Sequence, residues 1–315
     1  MQLHSVKIGA LTTPNNVFLA PLAGYTNAVF RDMCFSLGAG LTFTEMVSAK
    51  GLCYDSRNTR ELLSYTPEYS GIKAVQLFGS EPEYMRKAAC GDDIAPFGLI
   101  DINMGCPVPK IFKNGEGSAL LENIPLAQKL VKACKKSGKE VSVKFRIGIS
   151  ADKLVTHDFA RAMEDAGADM ICVHGRTRDK MYSGEVNYGE IAAAKSAVKI
   201  PVIANGGIFT AADADKLLNE TGADGVMVAR GAMYNPFVFA DICGVKAEDK
   251  GAVIKKQLDD TFATFDERFS TVYMRKMIGF YIKGVPNAAN LRVKLMSAKN
   301  KSEIEEIFNQ VRHLI

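Results

Sequence analysis

Residues 158–174 read DFARAMEDAGADMICVH, and residues 217–229 repeat the second half of that pattern as LLNETGADGVMVA. In both segments a helix-like run leads to a Gly-Ala-Asp turn, and a short apolar run follows at once. Glycine suits this turn because it readily adopts the left-handed conformation that ends many helices. Continuous apolar runs are typical of parallel strands that are covered on both faces. The two segments therefore predict a repeating helix–turn–strand unit.

Short apolar runs of this kind occur eight times along the chain, with spacers that are long enough for helices. We predict strands at residues 17–20, 41–45, 73–77, 99–103, 141–146, 170–174, 202–205 and 225–229. Eight parallel strands joined by helical crossovers predict an α/β fold of the TIM (β/α)8 barrel type. An open doubly wound sheet is the structural alternative, but no Gly-x-Gly-x-x-Gly motif follows a predicted strand.

The chain of 315 residues is longer than the roughly 250 residues of a single barrel. We therefore predict a barrel domain over residues 1–243 and an all-helical domain, the tail, over residues 244–315. Within the tail, helices are predicted at residues 249–269, 274–283, 288–297 and 301–314. Before the first barrel strand, Thr13-Pro14-Asn15-Asn16 is predicted to form a hairpin turn that closes the barrel floor.

The composition is that of a globular protein, with 47% hydrophobic and 23% charged residues. A transmembrane helix needs about 20 consecutive apolar residues, and no such run occurs. We expect a soluble, cytoplasmic monomer. The seven cysteines are odd in number and form no Cys-x-x-Cys pair, which predicts neither a disulfide framework nor a metal site. Apart from Cys106, they are expected to be buried thiols.

The net charge of +4 is unevenly distributed. Residues 1–243 are balanced, whereas the tail has 13 basic and 9 acidic side chains. Residues 271–301 contain seven basic side chains and no acidic one. A charge run usually marks a solvated helical face, but one beside a neutral barrel favours binding to the phosphates of RNA.

Special residues follow the predicted strands at the end where TIM barrels build their active sites. Asn205-Gly206-Gly207 and Ala229-Arg230 follow strands seven and eight, which predicts a phosphate site. Such a site suits a sugar phosphate, pyridoxal phosphate or flavin mononucleotide (FMN). Gln76, Lys144 and His174 end strands three, five and six, so we expect them to face a flavin ring. The alternatives are an ion pair between Lys144 and Glu45, and a hydrogen-bonded core position for His174.

Four ordered segments together resemble the tRNA-dihydrouridine synthases. They are DINMGCP at residues 101–107, KNGEGSALL at 113–121, KFRIG at 144–148 and HGRT at 174–177. The resemblance begins at Pro21 and continues through Arg230 to residues 279–284 of the tail, so it covers nearly the whole chain. The Asn-x-Gly-Cys-Pro segment is specific when it appears with its ordered companions.

The resemblance implies an FMN enzyme on a TIM barrel that reduces the 5,6 double bond of uridine in tRNA, with NADPH or NADH as a transient reductant. It implies Cys106 as the general acid that protonates C5, opposite the face that receives a hydride at C6. A thiol with an ordinary pKa near 8.5 is mostly protonated at pH 7, which suits this role. The FMN contacts that it implies are Pro21, Leu22, Ala23, Gln76, Lys144, His174, Asn205, Gly206, Gly207, Ala229 and Arg230.

Contacts with the RNA substrate are predicted in two regions. In the barrel, Asn103 has a donor and an acceptor for the uracil edge, and the residues after strand six are candidates to hold the extruded nucleotide or its phosphate. Those residues are Arg176, Arg178 and Tyr182. In the tail, the candidates are Arg275, Lys276, Lys283 and Arg292.

Two other functions fit parts of this pattern. A flavin barrel of the dihydroorotate or dihydropyrimidine dehydrogenase type would act on a free pyrimidine, but it would not need a basic helical tail. A tRNA-binding protein without catalysis would have no use for Cys106, Lys144 and His174.

Overall fold

The computed structural model describes residues 1–246 and 249–314, so residues 247, 248 and 315 of the predicted tail lie outside the described part. Eight parallel strands form a closed barrel in chain order, and the last strand pairs with the first. Two strands that precede the barrel, β1 Lys7–Ile8 and β2 Leu11–Thr12, form a separate hairpin. The barrel strands are β3 Val17–Leu19, β4 Leu41–Ser48, β5 Lys73–Phe78, β6 Leu99–Met104, β7 Glu140–Arg146, β8 Met170–His174, β9 Val202–Asn205 and β10 Gly225–Val228. The predicted TIM barrel is confirmed.

Helices cover the outside of the barrel and form the tail. They are α1 Ala28–Ser36, α2 Ala49–Cys53, α3 Arg57–Glu61, α4 Pro82–Ala89, α5 Pro109–Lys113, α6 Ile124–Lys135, α7 Thr156–Asp165, α8 Tyr188–Ala197, α9 Ala211–Thr221, α10 Arg230–Tyr234, α11 Val238–Cys243, α12 Lys250–Thr264, α13 Glu267–Tyr281, α14 Ala288–Ser297 and α15 Lys301–Asn309. The Gly-Ala-Asp turns do what the sequence predicts: Gly222, with φ of +63°, ends α9 in the left-handed conformation.

The barrel floor is closed by the β1–β2 hairpin, but the turn lies at a different place from the predicted one. Lys7 pairs with Thr12 and Ile8 with Leu11, so the chain reverses at Gly9-Ala10. The Thr13 hydroxyl instead accepts a hydrogen bond from the Val6 amide at 3.0 Å and donates one to a backbone carbonyl at 2.8 Å. These side-chain hydrogen bonds to the backbone fix the connection into β3. Residues 13–16 form that connection and not a hairpin turn, so the prediction was wrong.

The tail helices differ from the prediction in their bounds: residues 270–273, which were expected to separate two helices, lie inside α13, and α15 ends at Asn309 and not at residue 314. A single helix was expected over residues 249–269, but α12 ends at Thr264 and α13 begins at Glu267. Asp266 causes this break, since its carboxylate accepts a hydrogen bond from the Phe269 amide at 2.9 Å and so caps α13.

The tail and the barrel share one apolar core. Met274, Met277 and Ile278 of α13 are fully buried and belong to the same hydrophobic cluster as the outer faces of the barrel strands. The Tyr273 hydroxyl also donates a hydrogen bond to the Tyr25 carbonyl, 2.6 Å away, in the loop after β3. Helix α13 is therefore fixed against the side of the barrel where the strands end.

The cysteines are all free thiols. Cys34, Cys134 and Cys172 are buried as expected, but Cys53 and Cys243 are only half-buried and Cys90 is exposed at the end of α4, so the prediction of buried thiols was wrong at these three positions. Among the described residues, no helix is both long and apolar enough to cross a lipid bilayer. No group of three His, Cys, Asp or Glu side chains in residues 1–246 and 249–314 is arranged to hold a metal ion.

Candidate active site

The carboxyl ends of the barrel strands surround a cleft of about 480 Å³. Four cationic side chains line it, namely Lys144, Arg146, Arg176 and Arg230, and no described Asp or Glu does. The volume is within the range of small-molecule and cofactor sites. The uncompensated positive charge favours an anionic ligand.

Most of the predicted site residues meet in this cleft. Those that line it are Pro21, Leu22, Ala23, Gln76, Asn103, Cys106, Lys144, His174, Arg176, Tyr182, Asn205, Gly206, Gly207, Ala229 and Arg230. Arg178 does not line it, because its guanidinium lies over the Phe112 ring, 3.7 Å from the ring centroid. The tail candidates Arg275, Lys276, Lys283 and Arg292 also lie outside the lining.

The loop that carries Cys106 is held by neighbours on three sides. The Asn103 side-chain oxygen accepts hydrogen bonds from the amides of Gly105 at 3.2 Å and Cys106 at 2.9 Å. Ser118 donates from its amide at 3.1 Å and from its hydroxyl at 2.8 Å to the Cys106 carbonyl. Arg146 donates from Nε to the Gly105 carbonyl at 2.9 Å. The thiol therefore projects into the cleft from a fixed backbone.

Burial controls the protonation of Cys106. It raises the pKa of the thiol above its ordinary value, although a hydrogen bond from the Val108 amide and the charge of Arg146 act in the opposite direction. The thiol thus stays protonated at neutral pH. Gly117 allows this packing, since it has φ of +60° and an added Cβ would lie 2.9 Å from the Cys106 carbonyl oxygen. Glycine is therefore required at position 117 of the KNGEGS segment, where the chain passes close to Cys106.

A buried carboxylate, which the sequence analysis did not single out, orders the amide side chains beneath the cleft. Asp101 is 1% exposed and accepts hydrogen bonds from Gln76 Nε2 at 2.7 Å and Ser142 Oγ at 2.6 Å. Gln76 Oε1 in turn accepts from Asn103 Nδ2 at 2.9 Å. The chain of bonds from Asp101 thus reaches Asn103, whose oxygen holds the Cys106 amide.

Burial raises the pKa of Asp101 to about 6, against the hydrogen bonds from Gln76 and Ser142, which lower it. The available sequence signal was the spacing. Asp101 and Asn103 are two positions apart on one strand, and residues at that spacing share one face of a strand.

Lys144 contacts an amide and not a carboxylate. Its Nζ donates to Asn205 Oδ1 at 2.9 Å, and Asn205 Nδ2 donates to the Met227 carbonyl at 2.8 Å. Burial lowers the pKa of Lys144. The alternative of an ion pair with Glu45 was wrong, because Glu45 accepts instead from the Gly24 amide in the loop after β3.

His174 is neutral in this environment. Burial, together with the charges of Arg146 and Lys144, lowers its pKa well below the usual value. Its Nε2 lies 3.4 Å from Nη1 of Arg176. Arg176 also donates to the Gly184 carbonyl from Nη2 at 2.9 Å, which fixes the loop between β8 and α8.

The loops after β9 and β10 form an open backbone cradle. Gly206 and Gly207 have φ of +131° and +73°, which disfavours other residues there. A Cβ added to Gly206 would lie 3.1 Å from Val186 and 3.2 Å from His174. Arg230 lines the same part of the cleft. Glycine peptide groups that line a cleft beside an arginine suit a phosphate group.

The cations of the basic segment 271–301 are not all open to solvent, since Lys276 and Lys301 have partners within the protein. Lys301 pairs with Asp259 at 2.7 Å and with Glu305 at 3.6 Å, from other positions in the tail. Lys276 donates to the Gly24 carbonyl and lies 3.9 Å from the Tyr25 ring centroid.

Two other tail cations differ in exposure. Arg275 donates to the Met296 carbonyl at 3.1 Å, whereas Lys283 is exposed next to the cleft mouth, 5.3 Å from the Tyr234 ring centroid. The cations of the acid-free stretch therefore lie in different environments, and its binding to RNA stays a prediction.

Residues 18–314 match the family model described as dihydrouridine synthase. The chain is 36% identical to a probable tRNA-dihydrouridine synthase of Rickettsia conorii over 97% of both chains. It is 33% identical to tRNA-dihydrouridine synthase B of Pseudomonas aeruginosa, which covers 92% of this chain and 90% of the relative.

Solved structures with a similar fold include morphinone reductase, with a TM-score of 0.55 and 15% identity over 74% of this chain and 88% of that chain. Histamine dehydrogenase from a Rhizobium species has a TM-score of 0.60 and 12% identity over 88% of this chain and 50% of that one. At these identities the two structures support the barrel fold alone.

Proposed function

This chain belongs to the dihydrouridine synthase family, and on that ground we propose that it is an FMN-dependent enzyme that reduces the 5,6 double bond of a uridine in tRNA. The observation that carries the proposal is Cys106, which lies on a fixed loop in the lining of a cleft with four cations and no described carboxylate, where burial raises the pKa of its thiol. The relatives in Rickettsia and Pseudomonas are named for the same reaction.

The residues of the cleft fit FMN. The peptide groups of Gly206 and Gly207 with Arg230 would hold its phosphate, and Gln76 and Lys144 present donors at the strand ends, where its ring would lie. The lining from Pro21 to Ala23 and the neutral His174 would complete the contacts. When bound, FMN would supply the hydride that adds to C6 of the uracil.

Cys106 would supply the proton at C5. Its loop is held by Asn103, Ser118 and Arg146, so the thiol has little positional freedom. The raised pKa keeps the proton on sulfur until it is needed, and the charge of Arg146 would stabilise the thiolate that remains. A general acid must be held within reach of the atom that it protonates and must carry its proton at the working pH.

The other proposed ligands use the same cleft. NADPH or NADH would bind there transiently, because the sequence has no Gly-x-Gly-x-x-Gly motif that would form a separate dinucleotide site. Asn103, Arg176 and Tyr182, which line the cleft, would contact the uridine or its phosphate. Exposed basic side chains of the tail, such as Lys283, would contact tRNA phosphates outside it.

The test uses the purified chain and tRNA that lacks dihydrouridine. We expect a yellow protein with flavin absorbance that, with NADPH or NADH, forms dihydrouridine at a defined uridine, detected by mass spectrometry of tRNA digests. Reduction of free uracil or uridine without reduction of tRNA would favour an enzyme of the dihydropyrimidine dehydrogenase type. A colourless protein that binds tRNA and reduces nothing would contradict the catalytic proposal.

A further inference from the structure

Aromatic side chains surround the mouth of the cleft and remain partly exposed. We call them the aromatic rim, which consists of Tyr25, Tyr182, Phe209, Tyr234 and Phe280. Tyr25, Tyr182 and Phe209 line the cleft itself. The exposed fractions of Tyr182, Phe209 and Tyr234 are 48%, 43% and 37%. Large exposed rings grouped in one place mark an interaction surface more often than isolated ones do.

The rim is continuous from the barrel to the tail. The Arg230 guanidinium lies 5.2 Å from the Tyr182 centroid and 5.9 Å from the Phe209 centroid, so it joins these two rings. The Phe209 and Tyr234 centroids are 6.5 Å apart, and Tyr234 is 5.1 Å from Phe280 of α13.

Tyr25, on the loop after β3, closes the series at 6.1 Å from Phe280. Rings from three barrel loops, from helix α10 and from tail helix α13 therefore share one edge of the cleft.

The charge next to the rim is positive. Lys283 Nζ lies 5.3 Å from the Tyr234 centroid, and Lys276 Nζ lies 3.9 Å from that of Tyr25. Within residues 1–246 and 249–314, no carboxylate forms an ion pair with Lys283 or Arg230. Planar rings with adjacent cations are the combination by which proteins bind unpaired nucleotides, since the rings stack on bases and the cations attract phosphates.

We propose that the aromatic rim stacks on the nucleobases that flank the target uridine in tRNA, an inference that rests on the proposed function. A uridine inside folded RNA must leave its base stack to reach the cleft, at a cost of a few kcal/mol. Its neighbours then lose a stacking partner. The rim provides a replacement surface just outside the cleft, so the bases next to the target, as well as the phosphates, contribute to binding.

The test replaces rim rings by apolar side chains that are not planar. Phe209→Leu and Tyr234→Leu should each raise the Kd for tRNA about 5- to 150-fold, because stacking on one aromatic ring is worth about 1–3 kcal/mol per base. Tyr234→Phe keeps the ring and should bind within about twofold of the wild type. The slope of log Kd against log salt should stay unchanged in the Leu variants, since no phosphate contact is removed.

Tyr54 offers a matched control away from the cleft. Its ring is 67% exposed, lies 5.8 Å from the Tyr84 ring and has Lys50 nearby, 4.9 Å from the Tyr84 centroid, but it does not line the cleft. Tyr54→Leu should leave the Kd for tRNA unchanged. A loss of affinity equal to that of Tyr234→Leu would overturn the assignment of stacking to the rim.

A second measurement changes the RNA and leaves the protein intact. Wild-type protein should bind an RNA with an abasic site beside the target uridine more weakly than the intact RNA, by a factor similar to that of the Leu variants. Equal affinity for the two RNAs, or a changed salt slope in the Leu variants, would overturn the rim proposal. If the wild-type protein forms dihydrouridine and the Leu variants bind tRNA normally, the rim proposal alone is refuted. If the wild-type protein forms no dihydrouridine, the proposed function and the rim proposal are both refuted.

Discussion

The cations of the cleft and those of the tail segment 271–301 have similar sequence surroundings but different structural ones. In the cleft, Lys144, Arg146, Arg176 and Arg230 come from separate strands and loops and converge on one cavity without a described carboxylate in its lining. In the tail, the acid-free run is divided among several environments, and Lys301 is paired with Asp259. Position in the fold, more than local sequence, therefore decides where positive charge is available to a ligand.

The reason lies in the two architectures. A parallel barrel brings the carboxyl ends of all its strands to one place, so residues at those ends meet whatever their separation in sequence. A helix distributes successive residues around its axis, and each finds a different neighbour. Lys276 points to the barrel and donates to the Gly24 carbonyl, whereas Lys283 stays exposed.

The largest effect is expected from the cleft side of this comparison. Cys106→Ala should keep FMN and tRNA binding but lower turnover about 10²- to 10⁴-fold, because it removes the proposed general acid. Single-turnover oxidation of the reduced flavin by tRNA would measure this. Cys90→Ala is the matched control, since Cys90 is exposed outside the cleft lining. A wild-type rate for Cys106→Ala would refute the assigned role.

The buried Asp101 predicts a pH effect on stability. Its pKa is raised to about 6, so the folded state holds a proton that the unfolded state has already released near pH 4. The carboxyl group therefore destabilises the fold increasingly as the pH rises from about 4 to 6.

Asp101→Asn removes this titration. The free energy of unfolding of the wild type, measured relative to this variant, should fall by about 2 kcal/mol between pH 4 and pH 6.5. Urea unfolding at several pH values would measure the difference. Parallel curves for the two proteins would show that Asp101 has an ordinary pKa.

A pair of tail variants tests the other side of the comparison. Lys283→Met should reduce the salt dependence of tRNA binding by about one unit of slope, because an exposed phosphate contact is lost. Lys301→Met should leave that slope unchanged and cost up to about 1 kcal/mol of stability, because its partners are Asp259 and Glu305. If both variants reduced the slope equally, the acid-free segment would act as one surface after all.

The sequence predicted the barrel and most of the cleft for the same physical reason. Apolar runs with Gly-Ala-Asp turns specify the strands. Residues that follow the strand ends must then lie close together in a barrel, so Gln76, Cys106 and His174 could be assigned to the cleft from the sequence. The helix break at Asp266 was missed because a capping aspartate inside a polar segment has no distinctive pattern.

Two further features of the site also escaped sequence analysis. Asp101 was missed because a single acid within an apolar strand does not show its partners. The aromatic rim was missed because its rings are far apart in sequence, and only the closed barrel with α13 packed against it brings Tyr25, Tyr182 and Phe280 to one edge.

The smallest predicted effect concerns Lys276, a tail cation that donates a hydrogen bond to a loop of the barrel. Lys276→Met keeps the aliphatic stem but removes the hydrogen bond to the Gly24 carbonyl, in the loop whose residues Pro21 to Ala23 line the cleft. Loss of a hydrogen bond of about 1 kcal/mol should weaken FMN binding about fivefold, if the whole loss reaches the loop. Flavin fluorescence titration would measure this, with Arg292→Met as the tail control that leaves FMN affinity unchanged. Unchanged FMN affinity together with a reduced salt slope for tRNA would instead assign Lys276 to the RNA, and the comparison between cleft and tail would then lose its clearest exception.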